Sequence, residues 1–282
     1  MMSFRNERLK RTALPGSTVW LLTDIAEAKG RHALYVRQAP EKLERMREVA
    51  LIQSAESSSR IEGVIVDPAR LGTLLIGSAR PRDRSEEEVQ GYRRALDHIH
   101  RDSRTLAVAG DEVRRLHRLV QEGSGDAGQW KLRDNEILQF PPDGGPPTVR
   151  FRPLSAAETP AAMEELCRRY THAVDQERVP PLVAIAALVL DFLCVHPFRD
   201  GNGRVARLLT LLAMYHFDYE VGRYVSLERL VEESRAEYYD ALYRSSQSWH
   251  DGTHDPLPWT NYLLVIVRRA YAEFAERAGP PA

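Results

Sequence analysis

Apolar residues recur along most of this chain at three- and four-residue spacing, which is the rhythm of helices with one buried face. Residues 41–61 carry Leu43, Met46, Val49, Ala50 and Ile52 in that rhythm, and Gly63 supplies a stop, so they predict a helix. The same pattern predicts helices over 85–101, 111–122, 155–177, 181–195, 204–217, 234–248 and 258–278. Two of them open on start signals. Ser85 is followed by Glu86, Glu87 and Glu88, whose charge suits the unpaired N–H groups of a first turn, and Ser155 with Glu158 forms a capping box.

One region breaks the rhythm. Short extended runs, 136–140 and 148–152, flank Pro141-Pro142-Asp143-Gly144-Gly145-Pro146-Pro147, which predicts a β-hairpin with a long, proline-stiffened loop. The expected fold class is therefore mainly α, a helical bundle with one small β-hairpin. A boundary is expected near 105–110, dividing an N-terminal helical region, 1–107, from a core, 108–270, and a short tail, 271–282.

Composition adds mainly exclusions. Lys and Arg number 39 against 40 Asp and Glu, so no global charge favours nucleic acid or acidic lipid. The N-terminus is too polar for a signal peptide, and the longest apolar stretch, 183–195, is interrupted by Asp191 and too short to span a bilayer. A soluble, cytoplasmic protein is expected, with no membrane partner. Cys167 and Cys194 lie in apolar helical segments and read as small buried hydrophobes, although sequence leaves their separation in space open.

Candidate chemistry is concentrated in one run, His196-Pro197-Phe198-Arg199-Asp200-Gly201-Asn202-Gly203-Arg204-Val205-Ala206-Arg207. Pro197 resists continuing the preceding helix, which leaves His196 at a helix end facing a loop. Gly201 and Gly203 bracket Asn202 and allow successive backbone N–H groups to turn toward one concavity. That concavity leads into a helix N-terminus and so makes an anion site. Arg204 and Arg207 share a face of an otherwise apolar helix, where their charge is costly without anions. A polyphosphate would answer both arginines; a structural carboxylate beside each is the alternative.

This run matches, at every fixed position, the His-Pro-Phe-x-Asp-Gly-Asn-Gly-Arg-x-x-Arg signature of Fic proteins, and the chain resembles that family over roughly residues 40–270. Gly128-Gln129-Trp130-Lys131, then Asn135 to Gln139, and Phe151-Arg152-Pro153-Leu154 look like the family's hairpin flap and the helix start after it, with Lys131 where Arg is commoner. Tyr238-Tyr239-Asp240-Ala241-Leu242 resembles a segment near the nucleotide base, though tyrosines on a helix also serve as core. Ser58-x-x-x-Glu62-Gly63 matches the inhibitory pattern of Fic proteins that carry an N-terminal inhibitory helix.

The resemblance implies a Fic catalytic core that transfers AMP from ATP to Ser, Thr or Tyr hydroxyls of target proteins. It implies His196 as general base, Asp200 as ligand of Mg²⁺ or Mn²⁺, and Gly201, Asn202 and Gly203 as phosphate donors. It also implies Arg204 on the leaving pyrophosphate, Arg207 on the γ-phosphate, and Tyr238 and Tyr239 near adenine. Phe198 is expected to anchor the loop on the core, and a target segment to dock on the flap, residues 135–153. Glu62, with Ser58 and Gly63, is expected to occupy Arg207 and hold the enzyme at rest. Transfer of another phosphate-linked group, removal of AMP, and a nucleotide-regulated interaction or toxin–antitoxin module are the competing readings.

Overall fold

The computed structural model describes residues 1–35, 40–77, 79–139 and 145–279. In chain order the helices are α1 (Arg8–Arg11), α2 (Gly16–Tyr35), α3 (Pro40–Ile61), α4 (Pro68–Leu75), α5 (Arg84–Asp102) and α6 (Gly110–Val120). Strands β1 (Ile137–Gln139) and β2 (Thr148–Phe151) follow. The chain then continues through α7 (Thr159–Asp175), α8 (Pro181–Val195), α9 (Asn202–Tyr215), α10 (Leu227–Glu233), α11 (Arg235–Ser246) and α12 (Leu257–Ala278). The mainly α fold with one hairpin is as the pattern predicts.

The two most apolar helices lie at the centre, with nearly every side chain of α8 and α9 buried. Around this pair α12 packs against α2 and α8, α3 packs against α5 and α10, and α6 lies on α9. The layers place the end of α8 and the start of α9 side by side, with the last turn of α3 beside them.

Several helix ends differ from the sequence expectation. The carboxylate of Asp83, not Ser85, caps α5 by accepting the Glu86 N–H at 2.9 Å, and the helix starts at Arg84. Ser155 and Glu158 do close a reciprocal box, at 3.2 and 3.3 Å, but it caps a turn, and α7 begins at Thr159. Helix α9 starts at Asn202, two residues early, because Gly201 at φ +78° already turns the chain into it.

Helix α3 ends where expected. Gly63 at φ +82° lets the Val64 N–H reach the Ser59 carbonyl at 3.0 Å and its own N–H reach Arg60 at 3.0 Å. Four helices, α1, α2, α4 and α10, were not predicted; α1, α4 and α10 run for eight residues or fewer, too short for a repeating pattern. The buried face of α2 includes Thr18 and His32 beside Ile25, so polar residues interrupt its pattern.

The hairpin is shorter than expected. Ile137 pairs with Phe151, Leu138 with Val149 and Gln139 with Thr148, with a register irregularity after Ile137. Phe140, predicted as the end of the first run, and most of the predicted loop, 141–144, lie outside the described residues.

Candidate active site

Helix α8 ends at His196, whose backbone adopts φ +50° while its N–H still reaches the Phe192 carbonyl at 2.9 Å. Few residues other than glycine hold that conformation, and here Pro197 follows directly. The imidazole Nδ1 lies 3.2 Å from the Leu193 carbonyl, so it carries the proton and Nε2 holds the lone pair. Desolvation lowers the pKa of His196 to about 4, with the Leu193 carbonyl opposing, and leaves the ring neutral near pH 7.

The loop beyond is tied down by its own side chains. Asn202 accepts the Phe198 N–H at 2.9 Å and donates to the Phe198 carbonyl at 2.8 Å. Phe198 is fully buried, as expected of an anchor. The Asp200 carboxylate accepts the Gly201 N–H at 2.6 Å and stays largely exposed. Past it, the opening N–H groups of α9 have no intrahelical acceptor, and the helix dipole adds positive character there.

Arg204 is buried and donates to Glu88 at 2.6 Å, while its Nε has no partner. Arg207 donates from Nε to the Ser58 hydroxyl at 3.0 Å. From one terminal nitrogen it donates to the Ser58 carbonyl at 2.9 Å and to the Glu62 carboxylate at 2.8 Å. Glu62 also lies against the start of α9: a Cβ built on Gly203 would collide with its Oε1.

A cleft of about 560 Å³ opens from these groups toward the hairpin. Glu62, His196 and Gly203 line one end, and Leu138, Arg150, Tyr239 and Tyr243 are among the residues that line it elsewhere. Residues 108–214, which contain the loop and its supports, match the Fic/DOC family. This chain carries a Fic domain.

Over 138 residues it is 28% identical to the protein adenylyltransferase fic-1 of Caenorhabditis elegans, an alignment covering 48% of this chain and 24% of that protein. The chain thus matches about a quarter of the length of this curated relative. The fold is similar to that of a Fic domain containing signalling protein from Bacteroides thetaiotaomicron, with a TM-score of 0.76, 22% identity and coverage of 90% of this chain and 96% of the other. A Fic family protein from Desulfovibrio desulfuricans gives a TM-score of 0.76 at 20% identity, covering 94% of this chain and 76% of that one.

Two sequence arguments change once the Fic domain is seen in three dimensions. A polyphosphate is not needed to make the buried arginines tolerable, because Glu88 and Glu62 already answer Arg204 and Arg207. The side chain of Asn202 is spent on Phe198, so that residue offers a phosphate only its backbone N–H. Tyr238 and Tyr239 both reach the cleft wall, Tyr238 being buried and packed edge-on against Trp259. Cys167 and Cys194 are buried and unbridged.

Lys131 and Asn135, expected only in the flap, brace the loop between α8 and α9. Lys131 donates from Nζ to the Leu154 and Val195 carbonyls at 2.6 and 3.1 Å and to Asn135 at 2.8 Å. Asn135 in turn donates to the Phe198 carbonyl at 3.1 Å. Burial lowers the Lys131 pKa to about 8. Glu88 and His117 were missed altogether. Neither belongs to the contiguous run, and a lone charged or imidazole side chain on an amphipathic helix gives no signal of what it faces across the bundle.

Proposed function

We propose that this Fic domain is a protein adenylyltransferase, moving AMP from ATP to a Ser, Thr or Tyr hydroxyl of a target protein, and that Glu62 holds it at rest. The observation that carries the reading is that one cleft is lined both by His196, whose Nε2 is open, and by Gly203 in the N-terminal turn of α9. A base and an anion cradle at one mouth suit phosphoryl transfer.

In this reading the triphosphate lies on the start of α9, and the base lies toward Tyr238 and Tyr239. The attacking hydroxyl gives its proton to Nε2 of His196 as its oxygen bonds to the α-phosphorus. The bond from that phosphorus to the β-phosphate breaks, and pyrophosphate leaves toward Arg204 and Arg207. Mg²⁺ or Mn²⁺ fits the donor set. Asp200 offers an exposed carboxylate, and among the described residues no group of three His, Cys, Asp or Glu side chains could hold an ion alone. That suits an ion whose remaining ligands are phosphate oxygens. When bound, it neutralises phosphate charge. The target segment would pair with the hairpin, residues 135–153, through backbone hydrogen bonds.

Glu62 blocks this chemistry twice over in the same reading. It takes one terminal nitrogen of Arg207 that a γ-phosphate needs, the other having no partner among the described residues, and it brings a negative charge to the cradle at Gly203. The test is incubation with α-labelled ATP, UTP and CTP of the wild type, Glu62→Gly and Glu62→Gly with Arg207→Ala. Label from ATP should appear on the protein, rise well above wild type in Glu62→Gly, and fall away in the double variant. Asp200→Ala, or excess EDTA, should remove most of it. Label from UTP or CTP alone would assign a different transferred group. No label from any nucleotide with Glu62→Gly would instead favour a nucleotide-regulated interaction module.

A further inference from the structure

We propose that His117 is a positioning residue of the phosphate-binding loop, setting the orientation of the Asp200–Gly201 peptide from behind. The proposal rests on the reading that this loop cradles a polyphosphate. His117 lies in the last turn of α6 and is buried. Its Nδ1 accepts the Gly128 N–H at 2.9 Å, which places the ring proton on Nε2. That Nε2–H donates to the Asp200 carbonyl at 3.1 Å. The ring also lies flat on Phe198, with centroids 3.7 Å apart and planes 1° from parallel. One side chain thus grips the loop both at its buried anchor and at the peptide preceding Gly201.

What the grip decides is which end of one peptide group faces the cradle. With the Asp200 carbonyl held against His117, the Gly201 N–H is turned the other way and is met by the Asp200 carboxylate. Rotating that peptide would aim a carbonyl oxygen where phosphate oxygens are to sit and would carry the carboxylate away from its place. Gly201, at φ +78°, has no Cβ to resist such a rotation. The restraint must come from outside the loop, and His117 supplies the hydrogen bond that does it. Gln121, one turn further along the same face, completes the shelf. It is buried against Gly201, so that a Cβ built there would fall 2.9 Å from its Nε2.

A packing histidine and a positioning histidine are separated by two replacements. His117→Phe keeps an aromatic ring on Phe198 and removes the bond to Asp200. His117→Gln gives up the ring and keeps an N–H donor in reach of that carbonyl. Both are made in full-length Glu62→Gly protein, so that the cradle is open. Binding of inorganic pyrophosphate with Mg²⁺ is measured by titration calorimetry, alongside kcat and KM for ATP. His117→Phe should bind pyrophosphate about tenfold more weakly, the scale of one lost hydrogen bond to a charged site, while His117→Gln stays near the parent. Unchanged binding in His117→Phe, or binding weakened in His117→Gln as much as in His117→Phe, would overturn the proposal. Should the phenylalanine variant not fold, His117→Gln decides alone: parent-like binding supports the role and weakened binding refutes it. Absence of pyrophosphate binding in the Glu62→Gly parent itself would bring down the cradle reading and this role together; intact parent binding with an insensitive His117→Phe brings down this role alone.

Discussion

A histidine whose Nδ1 is committed to a backbone carbonyl exchanges protons at Nε2, and His196 is in that state. Burial lowers its pKa to about 4, so the base form is already dominant well below neutrality. The rate of transfer in Glu62→Gly should therefore be flat from about pH 8 to 5 and fall only as pH drops toward 4; an inflection near 6.5 in the kcat/KM profile would contradict the assignment. His196→Ala should abolish label transfer while calorimetry still finds nucleotide bound, since the N–H groups of α9 are untouched. Gly203→Ala tests the same corner from the other side. Gly203 has an ordinary helical backbone, so alanine is tolerated there, and the main obstacle is the Glu62 carboxylate, with a terminal nitrogen of Arg207 at 3.3 Å beside it. The methyl group should push Glu62 aside yet fill the cradle, so the variant should melt within about 1 kcal/mol of wild type and show none of the gain seen in Glu62→Gly.

At the scale of elements, the last turn of α3 is held from two directions. Ser58 and Glu62 receive Arg207 from α9, while Arg60 donates to both oxygens of Glu232 on α10, at 2.6 and 3.0 Å. The second attachment is partly exposed and worth no more than about 1 kcal/mol. Glu232→Ala should therefore loosen α3 modestly and raise transfer by at most about fivefold, well short of Glu62→Gly. It should add nothing when Glu62 is already glycine. A full additive gain in the double variant, read as a labelling rate, would show that Glu232 acts through something other than Glu62. The hairpin is fixed to its neighbour in a comparable way. Arg150 of β2 donates to the Tyr239 carbonyl and lies over the Tyr243 ring, 5.1 Å from its centroid, which joins the cleft's hairpin wall to α11.

Across the whole molecule, buried histidines set the acid limit of the fold. His32, among Tyr224, Tyr271 and Phe274, and His254, against Arg8 and Ser3, are lowered by burial to about 4, as is His117. Each takes up a proton in the unfolded chain near pH 6.5 but in the folded one only near 4. Their contribution to stability is therefore complete above about pH 6.5 and declines as pH falls toward 4. Asp191 works in the opposite sense. Burial raises its pKa to about 6, although Ser3 and the Trp249 indole, at 2.6 Å, donate to it, so it favours the fold most at low pH and loses that contribution as pH rises through about 6. Burial lowers His196 to about 4 and His100 to about 3 in the same way, so with five histidines against one carboxylate the melting temperature should fall between pH 7 and pH 4.5. A melting temperature that holds constant or rises over that interval would refute the balance.

The twelve residues 196–207 were legible because their chemistry is local: a helix end, a proline, two glycines and a helix start lie in consecutive positions, so adjacency along the chain is adjacency in space. Helical periodicity likewise announced α8 and α12, whose buried faces are almost wholly apolar, and α3 through Leu43, Met46 and Ala50, although its last turns bury Ser54, Ser57, Ser58 and Ser59. It failed for α2, where Thr18 and His32 are buried because Asn261 and an aromatic cage receive them, partners more than 180 residues away in sequence. The pairing of Glu62 with Arg207 was suggested by likeness to a family and not by any pattern within the chain. Sequence alone determined which side chains stand at the end of α8 and the start of α9, because side-chain type and short-range backbone geometry are written locally. Only the tertiary structure decided that Glu88 meets Arg204, that Glu62 lies over Gly203 and that His117 stands behind Asp200. Those contacts depend on how α3, α5 and α6 pack around α9, and packing joins residues whose separation along the chain carries no information about their distance.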